Sequence, residues 1–233
     1  MLGTALRAAP TPAAASARAP EMFTVQLETS RGVVEIEVHR DWAPHGADRF
    51  YDLVHRRYYD GNRFFRVIAG RWAQFGIHGD PREAARWLAR TIPDDPRKES
   101  NLRGTVAFAF AVPEGRTTQV FVNLGDNADR LDAQGFAPFG RIVEGMEVMD
   151  ALYAAYGEAA GGGIRAGHQE PLFTGGNTYL ARAFPAWITS AGRPTRALQH
   201  RVVDAVVGRA LTSAHLPRSH HGRPRGHSRG CAA

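Results

Sequence analysis

Cysteine is nearly missing from this chain: a single residue, Cys231, stands close to the C-terminus. Placed there it has no partner for an internal disulfide and is a poor candidate for a catalytic thiol in a folded pocket, so cysteine usage leaves the compartment open. Long apolar runs are missing too. No stretch approaches the ~18 consecutive apolar residues that a membrane-crossing helix needs. Gly161-Gly162-Gly163 is not followed by the Lys-Ser or Lys-Thr of a phosphate-binding loop. His78 and Asp80 do not by themselves make a metal site. His220, His221 and His227 offer at most an adventitious one. No internal repeat is found, and no cofactor and no metal is implied.

Basic charge is abundant but misplaced for a nucleic-acid-binding domain. The pI is near 10.1, yet residues 191–233 hold eight arginines against the single Asp204, leaving 21 basic and 22 acidic residues elsewhere. The bulk of the chain is therefore close to neutral. Only the tail offers an electrostatic footprint for a polyanion or an anionic surface, a weak contact at most. Residues 1–21 are rich in alanine and proline and lack the continuous apolar stretch of roughly 7–15 residues found in a signal peptide. They read as a disordered leader or as the remnant of an export signal. At 233 residues the chain suits one domain with two accessory ends: a leader (1–21), a folded domain (22–190) and a basic, largely disordered tail (191–233).

Within the domain the hydrophobic period alternates between two and helical. Phe23 to Thr29 alternate, Ser30-Arg31-Gly32 supplies a turn, and Val34, Ile36 and Val38 resume the period of two, which predicts an antiparallel hairpin. Pro44 suits a first helical turn, and Ala47, Phe50, Tyr51, Val54 and Tyr58 recur at helical spacing until Asp60-Gly61-Asn62. Residues 63–76 read as strand, 82–90 as a short surface helix after Asp80-Pro81, and Asp94-Asp95-Pro96 as a loop. Strands are expected at 104–112, 118–124 and 136–143. A second helix presents Met146, Met149, Leu152, Tyr153 and Tyr156 on one face. Gly175-Gly176-Asn177 is a turn signal, Phe184 to Ile188 is the last segment of the domain, and 197–211 has the pattern of a marginal amphipathic helix. Many strands with a helix near each end fit a closed barrel.

The run Arg63 to Gly76, R-F-F-R-V-I-A-G-R-W-A-Q-F-G, sets an arginine and a glutamine among apolar residues with no nucleophile nearby. That pattern suits chemistry done by binding alone. With Phe121 and Gly135 to Gly145 (G-F-A-P-F-G-R-I-V-E-G), it resembles the cyclophilin family of peptidyl-prolyl cis-trans isomerases. The likeness covers roughly residues 22–190. It is nearest to a divergent bacterial branch, through Gln74–Pro81 (Q-F-G-I-H-G-D-P) and Leu131–Gly140 (L-D-A-Q-G-F-A-P-F-G).

The resemblance implies a mainly β fold, a closed antiparallel barrel of about eight strands capped by two α-helices. It implies a monomeric rotamase acting on proline-containing segments of client proteins and assisting their folding. Arg66 matches the family's catalytic arginine and Gln74 the glutamine that hydrogen-bonds the substrate backbone. Phe121 matches the proline-pocket phenylalanine. Leu131 and Phe136 match other pocket walls, Ala109 the small residue that lets the peptide approach, and Trp72 a hydrophobic rim. There are departures. Arg71 stands where a phenylalanine usually lines the pocket, Phe110 where an asparagine contacts the peptide, Phe136 for a histidine and Arg130 for a tryptophan. A charge at Arg71 beside the ring pocket resists desolvation. It predicts weakened turnover, in the limit a proline-binding module, or a preference for acidic residues near proline. The branch is often exported, which favours an extracytoplasmic, periplasmic location.

Overall fold

The computed structural model describes residues 18–157, 168–184 and 199–203. Most of the leader, the Gly161–Gly163 segment, the chain from 185 to 198 and the histidine-bearing tail lie outside the described residues. An eight-stranded antiparallel sheet organises the rest. In chain order its strands are β1 (Met22–Thr29), β2 (Gly32–His39), β3 (Arg66–Ile68), β4 (Trp72–Phe75), β5 (Thr105–Phe108), β6 (Val120–Asn123), β7 (Pro138–Glu144) and β8 (Gln199–Val203). Across the sheet the order is β3-β4-β6-β5-β7-β2-β1-β8. Among the described residues no ladder joins the two edge strands, β3 and β8.

The expected hairpin is present: β1 and β2 pair from Met22↔His39 to Thr29↔Gly32. The strand-like run 63–76 is itself a hairpin, β3 and β4 folding back around Gly70 at φ +69°. Residues 197–211, expected as an amphipathic helix, instead contribute β8, which pairs with β1 from Thr24↔Val203 to Glu28↔Gln199. The β-branched pair Val202-Val203 favours extended backbone there.

The helices are α1 (Pro44–His55), α2 (Pro81–Leu88), α3 (Ala128–Leu131), α4 (Met146–Asp150) and α5 (Glu170–Ala183). Helix α1 begins at Pro44 as its sequence requires, but its exposed amide donors are satisfied from afar: the Asp95 carboxylate accepts from His45 N at 2.9 Å and Gly46 N at 2.8 Å. Asp95 is itself paired to the buried Arg116 at 2.9 Å, so a loop about fifty residues on caps the helix. Helix α2 is capped by Asp80, whose side chain accepts from Arg82 N.

The main core lies between α1 and the sheet. Phe23, Val25 and Leu27 of β1 and Val34, Ile36 and Val38 of β2 are fully buried. They pack with Phe50 and Leu53 of α1, and Phe139 lies 5.0 Å from Phe50 and 5.2 Å from Phe108 between ring centroids. Each such side chain contributes roughly 1.5–3 kcal/mol by leaving water.

Two expectations about helices need correction. The second helix ends at Asp150, so Leu152 to Tyr156 continue through turns rather than helix. Tyr156 swings to Phe184, 5.0 Å away, instead of lying along the sheet. Helix α5, which the two-helix cap did not include, lies against α2 and builds a second apolar cluster of Phe65, Ile77, Ala84, Leu172, Leu180 and Phe184. The Gly175-Gly176-Asn177 turn signal falls inside α5 and is its kink: Gly176 adopts φ 52°, ψ −145°. Asn177 then fastens the helix, its backbone N donating to Gly79 O and its Nδ2 to Gly61 O, each at 3.0 Å. Among the described residues no helix is long and apolar enough to cross a membrane.

A side chain at position 176 would meet Gly79 O at 2.1 Å on a backbone only glycine tolerates. Gly176→Ala is therefore expected to destabilise the protein by about 2 kcal/mol or more, read as a lower denaturant midpoint. An unchanged midpoint would show that α5 does not need this approach.

Candidate active site

Strands β3 to β6 are used on both faces. Side chains alternate along a strand, and directly paired residues on neighbouring strands share a face. One face, with Val67, Ala73, Phe75, Val106, Phe108, Val120 and Val122, belongs to the main core. On the other, pairing sets Arg66 opposite Gln74, Gln74 opposite Phe121, and Phe121 opposite Ala107. The result is one row across four strands: cation, amide, aromatic ring, small residue. One step along, Ile68 faces Trp72 and Trp72 faces Asn123.

Arg66, Gln74 and Phe121 of this row floor a cavity of about 660 Å³, lined also by Trp72, Ala109, Phe110, Arg130, Leu131 and Phe136. Every site residue expected from the sequence is thus brought to one place. Trp72, Ala107, Phe121 and Leu131 form a small apolar cluster of their own, with Ala109 and Phe136 packed against it. Phe136 stands edge-on to Phe121 at 5.5 Å and lies tilted against Phe110 at 4.4 Å. The ring that replaces the expected asparagine, Phe110, therefore extends the apolar wall.

Leu131 and Phe136 reach the cavity from α3 and from the loop beyond a short 3₁₀ turn, Asp132–Gln134. Buried asparagines hold this loop. Asn101 donates to Asp132 Oδ1 at 2.8 Å and to Phe136 O at 2.9 Å. Asn123 donates to Asn101, and Asn127 to Asn123 and to Arg71 O. Burial works to raise the Asp132 carboxyl, but the hydrogen bonds from Asn101 and Ser100 together with the charge of Arg97 hold the group below its usual range. Sequence reasoning missed these asparagines, because a single Asn in a loop or at the end of a strand, as Asn123 is, carries no periodic signal.

The charged groups differ from expectation. Arg71 is exposed and does not line the cavity; its neighbour Trp72 occupies the wall. The second positive charge comes instead from Arg130. The guanidinium carbons of Arg66 and Arg130 lie 5.0 and 5.7 Å from the Trp72 ring centroid, where the negative ring face attracts cations. Among the described lining residues none is acidic.

Arg66 Nη1 donates to Gln74 Oε1 at 3.0 Å. Gln74 Nε2 in turn donates to Gln119 Oε1 at 2.8 Å, and Gln119 Nε2 to Gln169 Oε1 at 2.9 Å. Gln119, Gln169 and Phe173 also line the cavity. None of these three was singled out from the sequence, although Gln119, two residues before Phe121 on its face, was within reach of a period-two argument. The arrangement holds a cation and amides beside an apolar socket. Among the described lining residues there is no serine, cysteine or lysine.

The family model for cyclophilin type peptidyl-prolyl cis-trans isomerases matches residues 24–162. The chain belongs to the cyclophilin family. A peptidyl-prolyl cis-trans isomerase of Acinetobacter baylyi is 34% identical over 142 residues, which are 59% of this chain and 75% of the relative. One of Streptomyces antibioticus is 34% identical over 141 residues, 56% of this chain and 83% of the relative. A cyclophilin structure from Cryptosporidium parvum superposes with a TM-score of 0.49 at 21% identity, over 56% of this chain and 83% of that one. This cyclophilin is a peptidyl-prolyl cis-trans isomerase, and its substrates are proline-containing peptide segments. Helix α5, with Gln169 at its N-terminal boundary, lies beyond the residues that the family model matches.

Proposed function

We propose that Arg66 supplies the hydrogen bond that lowers the rotation barrier, that Gln74 positions the substrate backbone, and that Phe121 with Leu131, Phe136, Trp72, Ala109 and Phe110 receives the proline ring. The observation that carries this is the cross-strand row itself, which puts the Arg66 guanidinium, the Gln74 amide and the Phe121 ring side by side on one face.

An X-Pro bond has cis and trans forms within ~0.5–1 kcal/mol of each other, separated by a barrier of ~18–20 kcal/mol from amide resonance. At the twisted midpoint the prolyl nitrogen regains its lone pair. A donor aimed there stabilises the transition state and neither ground state, which raises the rate without a covalent step. A guanidinium suits this work because it stays protonated and offers its N–H groups in a fixed plane. The preformed apolar socket holds the ring without the entropic cost of ordering its walls.

Arg130, whose guanidinium lies 5.7 Å from the Trp72 ring at the socket, favours peptides with an acidic residue beside proline. With proline tetrapeptides, Arg66→Ala is expected to lower kcat/KM roughly 10²-fold. Arg130→Ala is expected to abolish a preference for Glu-Pro over Lys-Pro sequences while sparing Ala-Pro turnover. Full activity in the first variant, or no charge preference in the wild type, would refute the respective assignment.

We also infer that the isomerase domain spans residues 22–190, with 1–21 and 191–233 as accessory ends of which the second lends β8 to the sheet edge, and that this sheet closes into a barrel. In support of closure, register shifts in the pairings of β7 with β2 and with β5 add local twist. Hydrogen exchange tests this: closure protects the Arg66–Ile68 amides that point away from β4, and fast exchange there rules it out. The basic tail is proposed to give the monomer a weak contact with polyanions. Retention on heparin should fall with salt and disappear on deletion of residues 204–233, which spares β8; a deletion variant retained like the full chain would exclude the tail.

A further inference from the structure

Gln169 ends the line of amides that begins at Arg66, and it comes from the part of the chain that the family model does not match. A guanidinium only donates hydrogen bonds. Gln74 must therefore turn its oxygen toward Arg66, which leaves its NH₂ for Gln119. Gln119 must then present its own oxygen to Gln74 and its NH₂ to the next residue. That residue has to be an acceptor, and Gln169 Oε1 fills the place at 2.9 Å. An acceptor here thus completes the order that the Arg66 donor imposes on both upstream amides.

The position of Gln169 is well anchored. It stands at the N-cap of α5, where its side chain makes no cap hydrogen bond and points to Gln119 instead. It is 6% exposed. The helix it begins is held by Leu172 in the second apolar cluster and by Asn177 on Gly79 and Gly61.

We propose that Gln169 is a positioning residue for the isomerase reaction: from outside the matched cyclophilin segment it accepts from Gln119 and supports the order of the Gln119 and Gln74 amides that the Arg66 donor requires, and so the orientation of the Arg66 guanidinium. Without it Gln119 can turn over and offer NH₂ to Gln74, whose own flip would set two donors, its NH₂ and the guanidinium, against each other. The effect is expected in the chemical step, because the ring is held by the apolar cluster of Trp72, Phe121 and Leu131 and not by the amides. The inference rests on the assignment of Arg66 above.

The test is a polarity series at one position in the full chain: Gln169→Glu keeps an acceptor, Gln169→Leu has neither, and Gln169→Lys offers only donors. NMR exchange measurements on a bound Ala-Pro peptide read the catalysed rate apart from affinity. Glu is expected within about twofold of wild type, and Leu roughly three- to tenfold slower. Lys is expected at least as slow as Leu, with peptide affinity within about twofold throughout. A Leu variant as fast as wild type overturns the proposal. So do Glu and Lys variants of equal rate, a comparison that decides the matter even where the Leu variant fails to fold. A loss of affinity at constant rate makes Gln169 a wall contact and also overturns it. Arg66→Ala is run in parallel: if that variant keeps its activity, the reading of Arg66 fails, whereas its inactivity beside a fast Gln169→Leu sinks the positioning role alone.

Discussion

Antiparallel pairing between β3, β4, β6 and β5 is the constraint on which the rest depends. Register places residues from four separate strands side by side with no loop between them, and a slip of one residue would send every one of them to the opposite face. Arg66, Gln74, Phe121 and Ala107 share a row for that reason alone. The same register commits Val67, Ala73, Val106 and Val122 to the core. Core and site are thus two faces of one decision. Hydrophobic burial on the core side enforces the register, and the register delivers the site.

The polar groups on the site face meet a different problem. Gln74 is almost fully buried, and an amide left without partners there costs about 1–3 kcal/mol. Joining amides head to tail satisfies each of them and gives the line a direction. A direction is what a neutral amide lacks by itself, since its oxygen and nitrogen ends have nearly the same shape. The asparagines behind Leu131 and Phe136 use the same device in a loop: Asn127, Asn123 and Asn101 are linked in turn and end on Asp132 and the Phe136 carbonyl. A loop wall is thereby held about as firmly as a strand.

Strands were legible in the sequence because burial imposes a period of two, as in the β1–β2 hairpin; Arg66 and Gln74 were legible through the family resemblance, while the fold-back of the run 63–76 into β3 and β4 was not. The helix at Pro44 was legible from its proline and its spacing, though its cap was not, since Asp95 lies about fifty residues away. Gly175-Gly176-Asn177 was rightly a break, but a local signal does not say that helix continues on both sides. Arg71 was misjudged because a motif gives order along the chain, while the fold decides which of two adjacent residues turns inward; here Trp72 does. The line through Gln119 and Gln169 joins residues fifty positions apart, and polar contacts at that separation leave no trace in periodicity.

Catalysis by binding makes heavy demands on orientation, because no covalent intermediate holds the reacting atoms while groups adjust. A donor that must meet the prolyl nitrogen only when the amide is twisted gains nothing from mobility: each alternative orientation of the guanidinium stabilises the planar forms as readily as the transition state. Arg66 is half-buried on a short edge strand, three residues long and paired on one side among the described strands. Backbone pairing alone holds such a strand weakly. Among the described residues, restraint on its side chain comes across the sheet, through Gln74 and the Trp72 ring. The proposed role of Gln169 adds a support from α5, anchored by its contact with Gly79 outside the sheet strands, where packing can be tuned without disturbing the register that builds the floor.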